Sequence, residues 1–247
     1  MRTLFALLAL LLPMRVAAQP SLYVEDLTWP ELREAIAKGK TTALYYAGST
    51  EQNGPHMALG KHNFIARHVA GRIAQELGNA LAYPVLPFAP TGGALAKFPG
   101  TVNVSDGTFA AVASEVALSA LAAGFRDVVL MGDHGGGQDA LKKVAQDLRA
   151  RRVHYAGDVY FKSAGQVRKH LEAKGLPRGE HAGIEDTSEL MFLDRDARWV
   201  RRDKLARGDT ASGVDGDPRE ASAELGRLFI DFKVRAAIEQ IRRLTTR

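Results

Sequence analysis

The chain contains no cysteine, which excludes disulfides, thiolate metal ligands and a lipid-modified cysteine anchor. Aromatic residues make up only 7% of it, and they are not interleaved with a basic stripe, so a nucleic-acid-binding surface is not expected. The late basic residues, among them Arg198, Arg201, Arg202, Lys204, Arg235, Arg242 and Arg243, are dispersed among Asp and Glu. Long apolar runs are also missing. The longest lies within Thr3–Leu12 and is about half the roughly 20 residues that a membrane-spanning helix needs. No internal repeat and no low-complexity tract interrupts the chain.

That short run does fit another role. Met1 and Arg2 give a positive start, Leu4–Leu12 an apolar core, Pro13 a break, and Val16-Ala17-Ala18 the small side chains a signal peptidase reads. The expectation is an export signal over residues 1–18, cleaved after Ala18, and a mature protein in the periplasm or outside the cell without a membrane anchor. About 229 residues remain, enough for one α/β domain over residues 19–247. With Arg2 and Arg15 gone, 31 basic residues face 28 acidic ones, an ordinary solvated surface.

Along the mature chain, β-prone apolar runs alternate with helical patterns. Strands are expected over Thr41–Ala47, Leu81–Phe88, Asp127–Met131 and Val153–Tyr160, the second at an edge because it carries prolines. Helices are expected over Phe64–Leu77 with Asn63 as cap, Thr108–Ala123 with Asp106 as cap, and Gln138–Ala150. A short one begins at Asp186 and a long amphipathic one occupies Arg219–Arg243. Pro90–Gly100 and Arg207–Pro218 read as loops. The alternation predicts a mainly parallel sheet with helices on both faces, whose ligands sit beyond the carboxyl ends of the strands.

Two polar clusters stand at such ends: Gly48–His56 with Gly60–Asn63 after the first strand, and Gly132–Gln138 after the Asp127–Met131 strand. A third, Glu180–Ser188, precedes the short helix. Each sets histidine beside carboxylate, in a chain with only seven histidines. A phosphate-cradling loop would place Lys, Ser or Thr after the glycines; Gln138 and Asp139 follow instead. His68, His154 and His170 lack such neighbours and read as structural.

Gly48–His56 resembles the GSxEQHGPH signature of the creatininase family. Gly132–Gln138 is similar to its NGHGGN loop, Phe98–Thr101 to its FPGT turn and His181–Ser188 to its HAGExETS segment. The resemblance runs from about Leu27 to Arg243. It implies a three-layer α/β/α sandwich, hydrolysis of cyclic or formyl amide C–N bonds, two divalent ions (zinc or manganese), and a homo-oligomer, commonly a hexamer. It carries Glu51 and His134 over as metal ligands, and His181, with Glu180 beside it, as the acid–base position.

The departures are specific. The signature's histidine after Glu51-Gln52 is Asn53, the carboxylate that bridges both metals falls at His62, the loop position that is a Glu in creatininase is Gly136, the closing Asn is Gly137, and the Glu of ETS is Asp186. Imidazole offers one lone pair where a carboxylate offers an oxygen to each of two ions, so a two-metal site is not expected. Glu51, His62 and His134 remain, a set suited to one zinc or manganese, or to non-haem iron. Asp186 is a candidate fourth ligand or an orienting group, and Asn53 and His56 are open candidates. The expected reaction is metal-assisted hydrolysis of a small amide. Glu180 or Glu185 takes the water proton, His181 protonates the leaving nitrogen, and the Gly135, Gly136 and Gly137 amides face the oxyanion. Two other readings stand: a periplasmic small-molecule or metal-binding protein that kept the fold without catalysis, and a mononuclear iron enzyme.

Overall fold

The computed structural model describes residues 21–179, 181–209 and 211–246. In chain order the elements are α1 (Trp29–Ala37), β1 (Thr42–Ala47), α2 (Lys61–Leu77), β2 (Ala80–Ala82), α3 (Gly93–Ala96), α4 (Asp106–Ala122), β3 (Asp127–Gly132), α5 (Gln138–Asp147), β4 (Val153–Tyr155), α6 (Phe161–Ala173), α7 (Ile184–Leu193) and α8 (Ala223–Thr245). The four strands form one parallel sheet in the order β2-β1-β3-β4. β1 and β3 are its central pair, buried along their whole length, which is why both read as unbroken apolar runs.

Alternating side chains sort the core into two layers. Leu44 and Tyr46 of β1, with Val129 and Met131 of β3, pack under α2 and α8. Ala43, Tyr45 and Ala47, with Val128 and Leu130, pack under α4 and α5. The expected three-layer α/β/α sandwich is therefore the fold. Among the described residues no helix is long and apolar enough to cross a membrane.

Several element boundaries depart from the sequence reading for local reasons. α2 begins at Lys61, not Phe64: the Gly60 carbonyl accepts from the Asn63 and Phe64 amides, and the Asn63 side chain turns away to donate to Thr50 Oγ1 at 3.0 Å. β2 stops at Ala82, because Pro84 and Pro87 cannot donate to the ladder; beyond it only a single Leu86–Ala47 bridge returns to the sheet. α4 is capped by Ser105, whose hydroxyl accepts from the Thr108 amide, and so takes in Asp106. β4 ends at Tyr155, and the chain turns through Gly157–Val159 into α6, a helix the sequence reading did not anticipate. α1 was missed too, although Thr28 and Glu31 form a capping box over Pro30. The Pro90–Gly100 stretch holds the four-residue α3.

Candidate metal centre

The register of the central strands makes the site. Ala47 of β1 pairs with Gly132 of β3, and the Asp133 amide donates to the Ala47 carbonyl at 2.9 Å. The chain leaves both strands side by side there, where the strand order diverges and α/β sheets open a crevice. Gly48–Asn53 and Asp133–Gly137 therefore face each other. The early start of α2 delivers His62 in its first turn, buried, to the same point.

Glu51, fully buried, is the hub. Its Oε1 lies 3.2 Å from His62 Nε2 and its Oε2 2.9 Å from His134 Nε2; Ser49 Oγ donates to Oε2 at 2.8 Å. Burial by itself would raise the Glu51 pKa, but hydrogen bonds from His134 and His62 hold it well below the usual carboxylate range. One ligand atom from each of Glu51, His62 and His134 lies within 4.8 Å of the other two, close enough to share a cation.

The two imidazoles are prepared differently. His62 Nδ1 lies 2.8 Å from Asp133 Oδ2, so a carboxylate holds the proton on Nδ1 and directs Nε2 inward, the usual support for a ligating histidine. Asp133 is itself held by Lys233 Nζ at 2.9 Å, and Lys233 also donates to Glu189 Oε2 at 2.8 Å. His134 Nδ1 instead accepts from the Gly136 amide at 3.0 Å, which leaves the proton on Nε2 facing Glu51. Ligation through His134 Nε2 moves that proton to Nδ1 and requires the Gly136 amide to turn. With that one peptide rearrangement, the donor set fits a divalent ion.

The other anticipated residues separate into distinct roles. Asp186 stands outside the ligand trio: its Oδ2 pairs with the fully buried Lys61 Nζ at 2.6 Å and accepts from the Ala182 amide at 2.9 Å. It is paired with that lysine, and its oxygens are not in the group of ligand atoms close enough to share one ion. Asn53 Nδ2 donates to the Glu51 carbonyl at 2.9 Å, bracing the loop, while its Oδ1 has no hydrogen-bond partner among the described residues. His56 is buried against Thr187 Oγ1 at 2.9 Å, away from the trio. The Gly136 amide donates to His134 Nδ1. Gly137 caps α5 and packs on Phe109, so of the three glycines Gly135 is the one on the cavity wall. Glu180 lies outside the described residues.

His181 does reach the site. Its Nδ1 lies 3.8 Å from Glu51 Oε1, and its Nε2 is 2.9 Å from the Gln52 side-chain nitrogen and 3.1 Å from the Gln52 carbonyl oxygen. The Gln52 amide is fixed, its oxygen accepting from the Gly54 amide and its nitrogen donating to the Gly213 carbonyl. When His181 Nε2 carries a proton, the Gln52 carbonyl accepts it; when it does not, the Gln52 amide donates to it. Nε2 is thus satisfied in either neutral tautomer, and the tautomer with Nε2–H leaves the Nδ1 lone pair free. Burial, and then the Lys61 charge, push the His181 pKa down, so the ring is neutral at pH 7.

A cavity of about 450 Å³ opens over His62, His134 and His181, with Lys61, Glu185 and Asp186 on one wall and α6 on the other. Burial first, then the neighbouring Glu189, push Glu185 up to about 8, so it is mostly protonated at neutral pH. Lys61, Lys233 and Glu189 were invisible as site residues in the sequence, since each stands in a helix and is brought in only by packing. The nearest signal was a lysine or glutamate on an otherwise buried helix face.

Comparison with known proteins identifies the family. The family model described as Creatininase: Creatinine amidohydrolase matches residues 25–241. The creatinine amidohydrolase of Pseudomonas putida is 29% identical over 255 residues, covering 90% of this chain and 96% of that protein. The mycofactocin precursor peptide peptidase of Mycolicibacterium smegmatis is 29% identical over 221 residues, 79% of this chain and 82% of that one. A mutant creatininase of Zn-Zn type superposes with a TM-score of 0.77 at 24% identity, over 91% of this chain and 98% of that one, and a manganese creatininase with a TM-score of 0.75 over the same shares. With the family model matched over nearly all of its described length, the chain belongs to the creatininase family.

Proposed function

We propose that this protein is a metal-dependent hydrolase that cleaves the C–N amide bond of a small molecule, using one divalent ion held by Glu51, His62 and His134. The observation that carries the reading is the Glu51 hub, one buried carboxylate facing two imidazoles at the floor of a solvent-reached cavity, with His181 beside it. When bound there, the ion supplies Lewis acidity and an acidified water. Zinc and manganese, which the creatininase structures carry, both suit the donor set.

A single ion is favoured by charge. Lys61 Nζ is buried against Asp186, and its field is felt at both His62 and His181. A second dication in the same crevice would face that charge with neither Asn53 nor Gly136 to hold it. Asp133, steadied by Lys233, keeps His62 oriented. In the tautomer whose Nε2–H donates to the Gln52 backbone carbonyl, His181 has Nδ1 free to take a proton and to return it to the departing nitrogen. With Glu185 mostly protonated at neutral pH, His181 is the described residue best placed for the base role expected of Glu180 or Glu185. Retention of this relay favours an enzyme over a pure binding protein.

Metal and catalysis should separate by mutation. His134→Ala should lose both the ion and turnover, whereas His181→Ala should keep the ion, by elemental analysis, and lose roughly 10²–10⁴-fold in rate on a model formamide or lactam. Equal turnover by wild type and His181→Ala at saturating metal would overturn the assignment. Two ions held per chain would overturn the single-metal reading, and oxygen-dependent turnover would point to the iron alternative. Export is part of the same proposal: material recovered from outside the cytoplasm should begin at Gln19, and retention of Met1 would contradict it.

A further inference from the structure

The cavity wall opposite the metal ligands is one face of α6. Phe161, Ala164, Arg168 and Leu171 follow one another at intervals of three and four, so all four side chains look the same way, and all line the cavity. Phe161 is 59% exposed, large for an aromatic ring with no surface role in the fold, and meets Tyr160 edge-on at its own end of the cavity. Below it, Arg168 is exposed and has no acidic partner among the described residues.

The other cations of the cavity are spoken for. Lys61 is paired with Asp186, Lys233 with Asp133 and Glu189, and Arg178 with Glu172. Glu172 stands one helical turn after Arg168 and is its natural partner by position, yet it turns to Arg178 instead. Among the described residues Arg168 is thus the uncompensated cation of the cavity, and Glu185 the remaining carboxylic acid on its wall. Its guanidinium presents a planar fork of donors that matches a carboxylate.

We infer that Arg168 is a specificity-determining residue that binds a carboxylate on the substrate, so that the substrate class is a small amide bearing a carboxylate, such as an N-acyl amino acid or a carboxylated lactam. The cavity volume of about 450 Å³ sets the size, and the exposed Phe161 ring covers the apolar part of such a molecule. The inference rests on the amide-hydrolase reading for its chemistry, but the anion site can be tested without turnover.

The test is calorimetric titration of the metal-loaded protein with N-acetylglycine and with its neutral counterpart N-acetylglycinamide. Wild type should bind the carboxylate at least about tenfold more tightly. Arg168→Gln should abolish that preference and Arg168→Lys should keep part of it, with the same metal content and melting temperature in all three. Equal affinities in wild type would overturn the inference, and so would a preference that Arg168→Gln retains, which would assign the carboxylate to the metal. Absence of turnover on every amide tried would count against the hydrolase reading while leaving the binding result to decide the anion site.

Discussion

At the scale of single residues, the site is a set of buried charges that are each answered by another. Asp133 is the clearest case, since it meets His62 on one oxygen and Lys233 on the other. Asp133→Asn keeps the shape and removes the charge that fixes the proton on His62 Nδ1. Metal affinity should fall roughly 10–100-fold, measured by competition with a chelator, with the three ligands untouched. Unchanged affinity would mean that packing alone orients His62. Lys61 and Asp186 make a second such pair. Asp186→Asn strands a fully buried ammonium and should cost roughly 3–5 kcal/mol in denaturant unfolding. The sequence reading placed Asp186 among the metal ligands because carboxylate beside histidine looks the same whether the cation is a metal or a lysine. Only the three-dimensional partner distinguishes them.

At the scale of elements, the loop after β3 is packed as tightly as a core. A Cβ at Gly136 would lie 1.7 Å from the Pro90 carbonyl oxygen, and one at Gly137, where φ is +83°, would press on Phe109. A side chain at 136, whether methyl or carboxylate, therefore forces the loop around Pro90 outward, and restoring an acidic ligand there cannot by itself build a second metal site. Gly136→Ala should lose roughly 1–3 kcal/mol of stability. In the unmutated protein, metal addition should move the Gly136 amide resonance, because ligation through His134 Nε2 displaces that amide from Nδ1. A Gly136 resonance indifferent to saturating zinc would show that His134 does not ligate through Nε2. The crossing of α7 and α8 is equally close: a Cβ at Gly226 would lie 1.9 Å from the Ser188 carbonyl, and that contact is what sets Glu189 against Lys233.

At the scale of the whole molecule, the buried carboxyls set a pH dependence. Glu185 and Glu189 are pushed up from 4.5 to about 8 and about 7, in both cases chiefly by burial. They bind protons more tightly folded than unfolded, so their contribution is complete below pH 4.5 and is lost as the pH rises through 7 and 8. Asp133 and Asp186 act oppositely. Burial would raise them, but Lys233 and Lys61 hold them low, so their contribution is complete above the ordinary carboxylate value and lost in acid. Glu189→Gln mimics the protonated state in the same surroundings of Lys233, Asp133, Asp186 and Glu185. Metal-free wild type should therefore lose stability relative to Glu189→Gln between pH 5 and pH 8 in denaturant titrations. A difference that is constant across that range would show that Glu189 is ionised throughout.

Much of this was written in local pattern. The unbroken apolar runs at Thr42–Ala47 and Asp127–Gly132 could only be strands buried on both faces, and polar clusters at their carboxyl ends had to lie in one crevice once the sheet was parallel. The clusters that hold Glu51, His62, His134 and His181 were legible for that reason, whereas the roles of Glu51, His134 and His181 came from the resemblance of their motifs to those of the creatininase family. What the chain does far from those ends was not legible. α6 hides its period behind a short strand and a turn. Lys61, Lys233, Glu189 and Arg168 are ordinary helix residues until packing decides which of them is buried with a partner and which faces the cavity alone. Side-chain type determines what a residue can bind; only tertiary contact, which sets burial and the identity of the opposite charge, decides what it does bind.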